Sequence, residues 1–202
     1  MKRSLLALTM SLLAVSSVFA DPTIGKAAPD FTATDSRGKT QSLSAYKGKF
    51  VVLEWTNHGC PFVHKHYDSG NMQKLQETYT GKGVVWLSVI SSAEGKEGYV
   101  TPADAEKERA EYKSKATAII LDPKADLARL YIAKTTPHMF IINPEGNLIY
   151  MGAIDNKPST DAADIPSSIN YVSQALDAAL AGKSVKTAST KSYGCSVKYA
   201  SK

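Results

Sequence analysis

The chain has 202 residues, two cysteines and a formal charge of +5. Two cysteines are far too few for a disulfide scaffold, and apart from one stretch near the N-terminus no apolar run approaches the roughly 20 residues that span a bilayer. The surplus charge sits at the ends: Lys2 and Arg3 at the start, and Lys183, Lys186, Lys191, Lys198 and Lys202 after Ala181 with no acid among them. That leaves a slightly acidic body, so a nucleic-acid-binding role is not expected.

Met1-Lys2-Arg3, the apolar stretch Leu5 to Phe19 and the small residues of Val18-Phe19-Ala20 form the three parts of a cleaved secretory signal, residues 1–20. Serines at 11, 16 and 17 break the run, so no stable membrane insertion is expected after cleavage, and a periplasmic or secreted location follows. What remains is enough for one domain, residues 21–182, followed by a basic tail, residues 183–202, that carries Cys195. The tail is rich in Ser, Thr, Lys and Ala and reads as disordered, except that Tyr193-Gly194-Cys195-Ser196-Val197-Lys198-Tyr199 gathers aromatics and a cysteine.

Along the body, Thr32 to Asp35 and Thr40 to Leu43 flank the turn Ser36-Arg37-Gly38-Lys39 as an N-terminal β-hairpin. Phe50 to Trp55 is a β-branched apolar run, the signature of a strand buried on both faces. A helix is expected from Pro61 to Tyr79, with a kink at Gly70. A strand over Val84 to Ile90 precedes a helix capped by Thr101 with Pro102 in its first turn. Then come a strand at Ala118 to Leu121, a short helix at Ala125 to Tyr131, and two strands, His138 to Asn143 and Leu148 to Met151, joined by Pro144-Glu145-Gly146-Asn147. A last helix is expected from about Pro166 to Ala181. The alternation gives an α/β fold with a central mixed sheet flanked by helices.

Cys60-Pro61 falls where a buried strand passes to a helix. Unpaired N–H groups and the positive dipole end there favour the thiolate, the reactive form of cysteine.

Strand, Cys-Pro, helix and then Thr136-Pro137 entering a strand-turn-strand unit together resemble the thioredoxin-like superfamily. Ala28-Pro29-Asp30-Phe31, Gly38-Lys39 and Lys47-Gly48-Lys49 are similar to the start of its redoxin and peroxiredoxin (AhpC/TSA-type) branch. More narrowly, Glu54 to Tyr67, Ser91-Ser92-Ala93 and the closing Tyr193 to Tyr199 resemble a bacterial peroxiredoxin-like group of exported redoxins. The resemblance implies a thioredoxin-like fold, a cis Pro137 facing Cys60, and a thiol-dependent oxidoreductase needing no cofactor. Its partner would be a small-molecule peroxide or a protein thiol or disulfide. Glu54 stands six residues before Cys60, the place of the buried acid that assists proton transfer in thioredoxins, and Trp55, Thr56, Asn57 and Thr136 are the expected substrate-side residues.

The chain departs from both better-known patterns. Val63 stands where a Cys-x-x-Cys protein carries its second cysteine. Asn57 and Leu53 stand where peroxiredoxins place a threonine or serine and a proline, with Thr56 one residue out of register. Cys195 could supply the missing resolving thiol by condensing with a Cys60 sulfenic acid. It could equally form a permanent structural disulfide, or both thiols could stay free. A rival arrangement is a copper or zinc site built from Cys60, His58, His64 and His138. A catalytically idle binding module is the third.

Overall fold

The computed structural model describes residues 21–199, so the expected signal peptide lies outside the described residues. The hairpin forms as expected from β1 (Thr32–Thr34) and β2 (Thr40–Ser42). A 3-10 turn then leads into β3 (Val51–Trp55), every residue of which is buried. Helices α1 (Pro61–Asp68) and α2 (Asn71–Thr80) follow. The expected single kinked helix is instead two, because Gly70 takes φ +75°, a left-handed geometry that ends the first hydrogen-bonded run. Strand β4 (Val85–Ile90) comes next, then α3 (Pro102–Glu111), β5 (Ala118–Leu121) and α4 (Asp126–Leu130). Thr101 caps α3 in a reciprocal capping box with Asp104. The chain continues through β6 (Thr135–Thr136), β7 (His138–Ile142) and β8 (Leu148–Gly152). The last helix, α5 (Tyr171–Leu180), starts later than expected because Ala162–Ser167, which contains Pro166, winds as a 3-10 segment. Pro166 is therefore not the helix start, and Asn170 caps α5 by accepting from Ser173 N–H.

Five strands form the central sheet in the order β5-β4-β3-β7-β8. β3 pairs parallel with β4, and β4 with β5, while β7 pairs antiparallel with both β3 and β8. This mixed sheet, with helices on both faces, is the thioredoxin-like fold.

The period-two alternation of the strands sorts the core into two layers. Val51, Leu53 and Trp55 point with Leu87, Val89, Phe140 and Ile142 toward the hairpin and α4. Val52, Trp86, Met139 and Ile141 point toward α1, α2 and α5, where Cys60 also lies. Position 54 belongs by the same alternation to the Cys60 face, so the pleat buries a carboxyl there.

The tail corrects the expectation of disorder. Met151 N–H donates to Ala188 O and Thr190 N–H to Met151 O, so residues 188–190 run along the β8 edge. Further on, β9 (Cys195–Ser196) pairs antiparallel with β6. Val197 is buried, and Tyr199 OH donates to Ala133 O at 2.8 Å. A strand edge left open by the body supplies backbone partners that composition does not report.

Candidate active site around Cys60

The turn before α1 is built by Asn57. Its Oδ1 accepts from Gly59 N–H at 2.8 Å, and its carbonyl accepts from Cys60 N–H at 2.9 Å. Cys60 is the N-cap residue of α1, in extended geometry, with Pro61 in the first turn where no N–H is required. Asn57 is thus a turn-former, and its side chain is committed to the backbone.

Cys60 is fully buried. Its Sγ lies 3.2 Å from the Thr136 carbonyl and 2.6 Å from Cys195 Sγ, and both cysteines are free thiols. The Thr136-Pro137 peptide is cis, as the resemblance implies. The register of β6 and β9 sets Cys195 opposite Thr136, whose carbonyl also faces Cys60. Gly194 makes this approach possible. It has φ +127°, and a Cβ there would overlap the Thr136 carbonyl.

The two thiols are electrostatically unequal. Burial pushes Cys60 up, but hydrogen bonding from the Cys195 thiol and from backbone N–H groups outweighs it and leaves Cys60 below the ordinary thiol value. Burial and the neighbouring Cys60 push Cys195 up to about 12. At neutral pH the proton therefore stays on Cys195, which is partly buried, while Cys60 is the thiol poised to ionise.

Glu54 is fully buried and, among the described residues, has no cationic partner. Oε2 accepts from Trp86 Nε1 at 2.7 Å, Ser88 OH at 3.0 Å and Gln76 Nε2 at 3.1 Å, and Oε1 accepts from Tyr67 OH at 2.8 Å. Burial raises its pKa against the pull of these four donors. It is a carboxyl that can hold a proton at a pH where exposed glutamates have lost theirs.

The other expected substrate-side residues divide. Thr56 and Thr136 are buried, each with a hydroxyl that has no hydrogen-bond partner. With Asn57 they line a narrow crevice, too tight for a water molecule, beside tail residues Ser196, Val197 and Lys198. Trp55 forms one wall of that crevice, with its Nε1 donating to Ser91 Oγ at 3.0 Å and its rings packed on Tyr131 and Phe140.

The metal arrangement is also corrected: among the described residues no three of His, Cys, Asp or Glu are placed to hold an ion. His58 is sandwiched between Tyr67 and Tyr112, and burial lowers its pKa to about 4. His64 turns outward to Asp68 at 3.2 Å. His138 accepts from Lys134 N–H through Nδ1, and burial lowers it too to about 4. Aromatic stacking and backbone bonds, invisible in the spacing, decide where these rings face. None of the body's arginines reaches the thiol: Arg37 and Arg109 pair with Glu106, and Arg129 with Asp126.

Reasoning from the sequence missed Lys65, Asp155 and the part played by Tyr193. The clustering of Tyr193 and Gly194 beside Cys195 was the one available signal. A lysine at a helical position reads as solvated, so Lys65 offered none.

The AhpC/TSA family matches residues 24–151. Among solved structures, an uncharacterized conserved protein of Geobacillus kaustophilus is 25% identical with TM-score 0.77, covering 96% of this chain and 100% of its own. A hypothetical protein of Sinorhizobium meliloti 1021 is 25% identical with TM-score 0.74, covering 91% and 98%. The exposed lipoprotein thioredoxin of Streptococcus pneumoniae strain TIGR4 is 25% identical with TM-score 0.50, covering 68% and 96%. No curated protein matches the sequence.

Proposed function

This chain belongs to the AhpC/TSA family of thioredoxin-fold redoxins, a thiol oxidoreductase type, and from that premise we propose that it is an exported, peroxiredoxin-like enzyme using Cys60 and Cys195. The observation that carries the reading is the pairing of an easily ionised, helix-start thiol with a proton-holding thiol on a docked tail strand, 2.6 Å away. Cys60 is the attacking thiolate. It displaces an alcohol or water from a hydroperoxide as the O–O bond breaks, and becomes a sulfenic acid. The Cys195 sulfur then attacks the Cys60 sulfur, the S–O bond breaks, water leaves, and the disulfide forms. An external dithiol restores both thiols and becomes a disulfide itself.

Glu54, a buried carboxyl on the Cys60 face, is the proposed proton reservoir, and Thr56 and Thr136 offer unspent hydroxyls beside the site. The Thr136 carbonyl lies 3.2 Å from the Cys60 sulfur and is a second polar neighbour for it.

One observation favours a second reading, disulfide exchange with a protein. Cys195-Ser196 lies on Thr135-Thr136 as an added strand, the way an extended cysteine-bearing peptide of a partner would lie. Mass spectrometry separates the two. Reduced protein given one equivalent of hydrogen peroxide should lose two hydrogens and yield a Cys60–Cys195 cross-linked peptide, and Cys60→Ser should abolish peroxide consumption and exchange alike. Cross-linking by oxidised glutathione but not by peroxide supports exchange; activity retained in Cys60→Ser overturns both.

A further inference from the structure

Two residues before Cys195, the tail is fastened to a buried ionic cluster outside the thiol pair. Lys65 and Asp155 have side chains 0% and 1% exposed, with Nζ 3.4 Å from Oδ2. Lys65 Nζ also donates to Lys157 O at 2.7 Å, and Asp155 Oδ1 accepts from Lys157 N–H at 2.8 Å. Tyr193 OH donates to the same Oδ1 at 2.5 Å, while its ring packs on Phe62 and lies 5.8 Å below Lys65 Nζ. His66 completes the cluster: its Nε2 is 3.5 Å from Tyr193 OH and 3.9 Å from Asp155 Oδ2, and its Nδ1 meets Asn71 Nδ2 at 2.8 Å.

A buried ion pair is a poor device for stability, since an apolar set of similar volume commonly does as well. Its specific effect is geometric. Lys65 follows Cys60 by five residues along α1, and Tyr193 precedes Cys195 by two with only Gly194 between. Asp155 lies in the loop after β8 and is anchored by its bridge to Asn170. Two short covalent runs therefore leave one buried carboxylate and end on the two sulfurs.

We propose that Asp155, Tyr193 and Lys65 are positioning residues for disulfide formation, a latch that holds Cys195 against Cys60 so that the second thiol is present when the first is oxidised. This rests on reading Cys60 and Cys195 as a redox pair. Burial and the adjacent Asp155 keep the Tyr193 phenol protonated, so it is the donor. Burial lowers His66 to about 4, so at neutral pH it adds no charge to the cluster.

The test is the effective molarity of Cys195 toward Cys60, obtained by equilibrating the protein with glutathione redox buffers. Tyr193→Phe removes the hydroxyl and keeps the ring, and is expected to lower that value about tenfold or more, the loss of one hydrogen bond to a charged acceptor. Asp155→Asn with Lys65→Met, which avoids stranding a buried ammonium, is expected to lower it similarly. After peroxide, the same variants should give more Cys60 sulfenic acid to a dimedone trap. Ile119→Ala, in the separate cluster of Ile90 and Ala105, should destabilise the fold while leaving the effective molarity unchanged.

An unchanged effective molarity and an unchanged trapped fraction in Tyr193→Phe overturn the latch, even if peroxide is still consumed. Disulfide formation that falls in Tyr193→Phe while peroxide oxidises nothing upholds the latch and overturns the peroxidase reading. Failure of the wild type to form the disulfide under either oxidant overturns the latch.

Discussion

Oxidising Cys60 and Cys195 closes a loop between residues 135 positions apart, which makes stability itself a reporter of the pair. In the chain-entropy relation a loop of that length removes about 5 kcal/mol of freedom from the unfolded chain. Engineered cross-links often deliver less, because forming them distorts the native state. Here β9 already holds Cys195 opposite Thr136 before any bond exists, so the folded chain has little to rearrange. For a domain of this size about 5 kcal/mol corresponds to a rise of roughly 10–20 °C in Tm. The assay is urea unfolding of protein equilibrated in oxidised or reduced dithiothreitol, followed by fluorescence. The oxidised form should have the higher midpoint and a smaller m-value, since its denatured state is cross-linked and exposes less surface. A difference under about 1 kcal/mol, or one that persists in Cys195→Ala, would refute the reasoning.

Three further outcomes follow from the site. The raised pKa of Glu54 means that the folded state binds its proton more tightly than the unfolded chain does. Its contribution is present below the ordinary glutamate value and is lost as pH rises through the raised one, so Glu54→Gln should flatten stability against pH across that window. An unchanged slope in that variant would remove Glu54 as the titrating group. Gly194→Ala puts a Cβ onto the Thr136 carbonyl at a φ that alanine avoids, and should displace Cys195, costing more than about 1 kcal/mol in chemical unfolding and slowing disulfide formation. Normal cross-linking rates in that variant would show that the tail docks differently. Removing the hydrogen-bonding thiol in Cys195→Ala should raise the Cys60 pKa, read as later appearance of thiolate absorbance in a pH titration; an unshifted curve would assign the low value to the helix terminus alone.

Most of the fold was legible because its signals are local. The largely apolar run at Val51 to Trp55, the Thr101-Pro102 cap and the turn at Gly146 each determine their own element, and Cys60 before Pro61 determines a helix-start thiol. Where the reading slipped, local pattern was overruled by something short-range but conformational: Gly70 splits one helix into two, and Pro166 belongs to a 3-10 turn rather than to α5. The site was less legible than the fold. The histidines share a neighbourhood in sequence, yet Tyr112, Asp68 and the Lys134 backbone draw them apart.

The sequence by itself determined that a cysteine would stand at the N-terminus of a helix, since strand period and proline placement are properties of adjacent residues; that a Thr-Pro pair would face it came from the family resemblance alone. Only the tertiary structure decided what that cysteine meets. Lys65, Asp155 and Tyr193 are separated by most of the chain, and a lysine becomes a buried anchor only when a distant loop brings it a carboxylate. The 17 residues from Lys183 to Tyr199 carry too little apolar surface to fold alone, and they are ordered because the open edges of β6 and β8 offer them backbone hydrogen bonds.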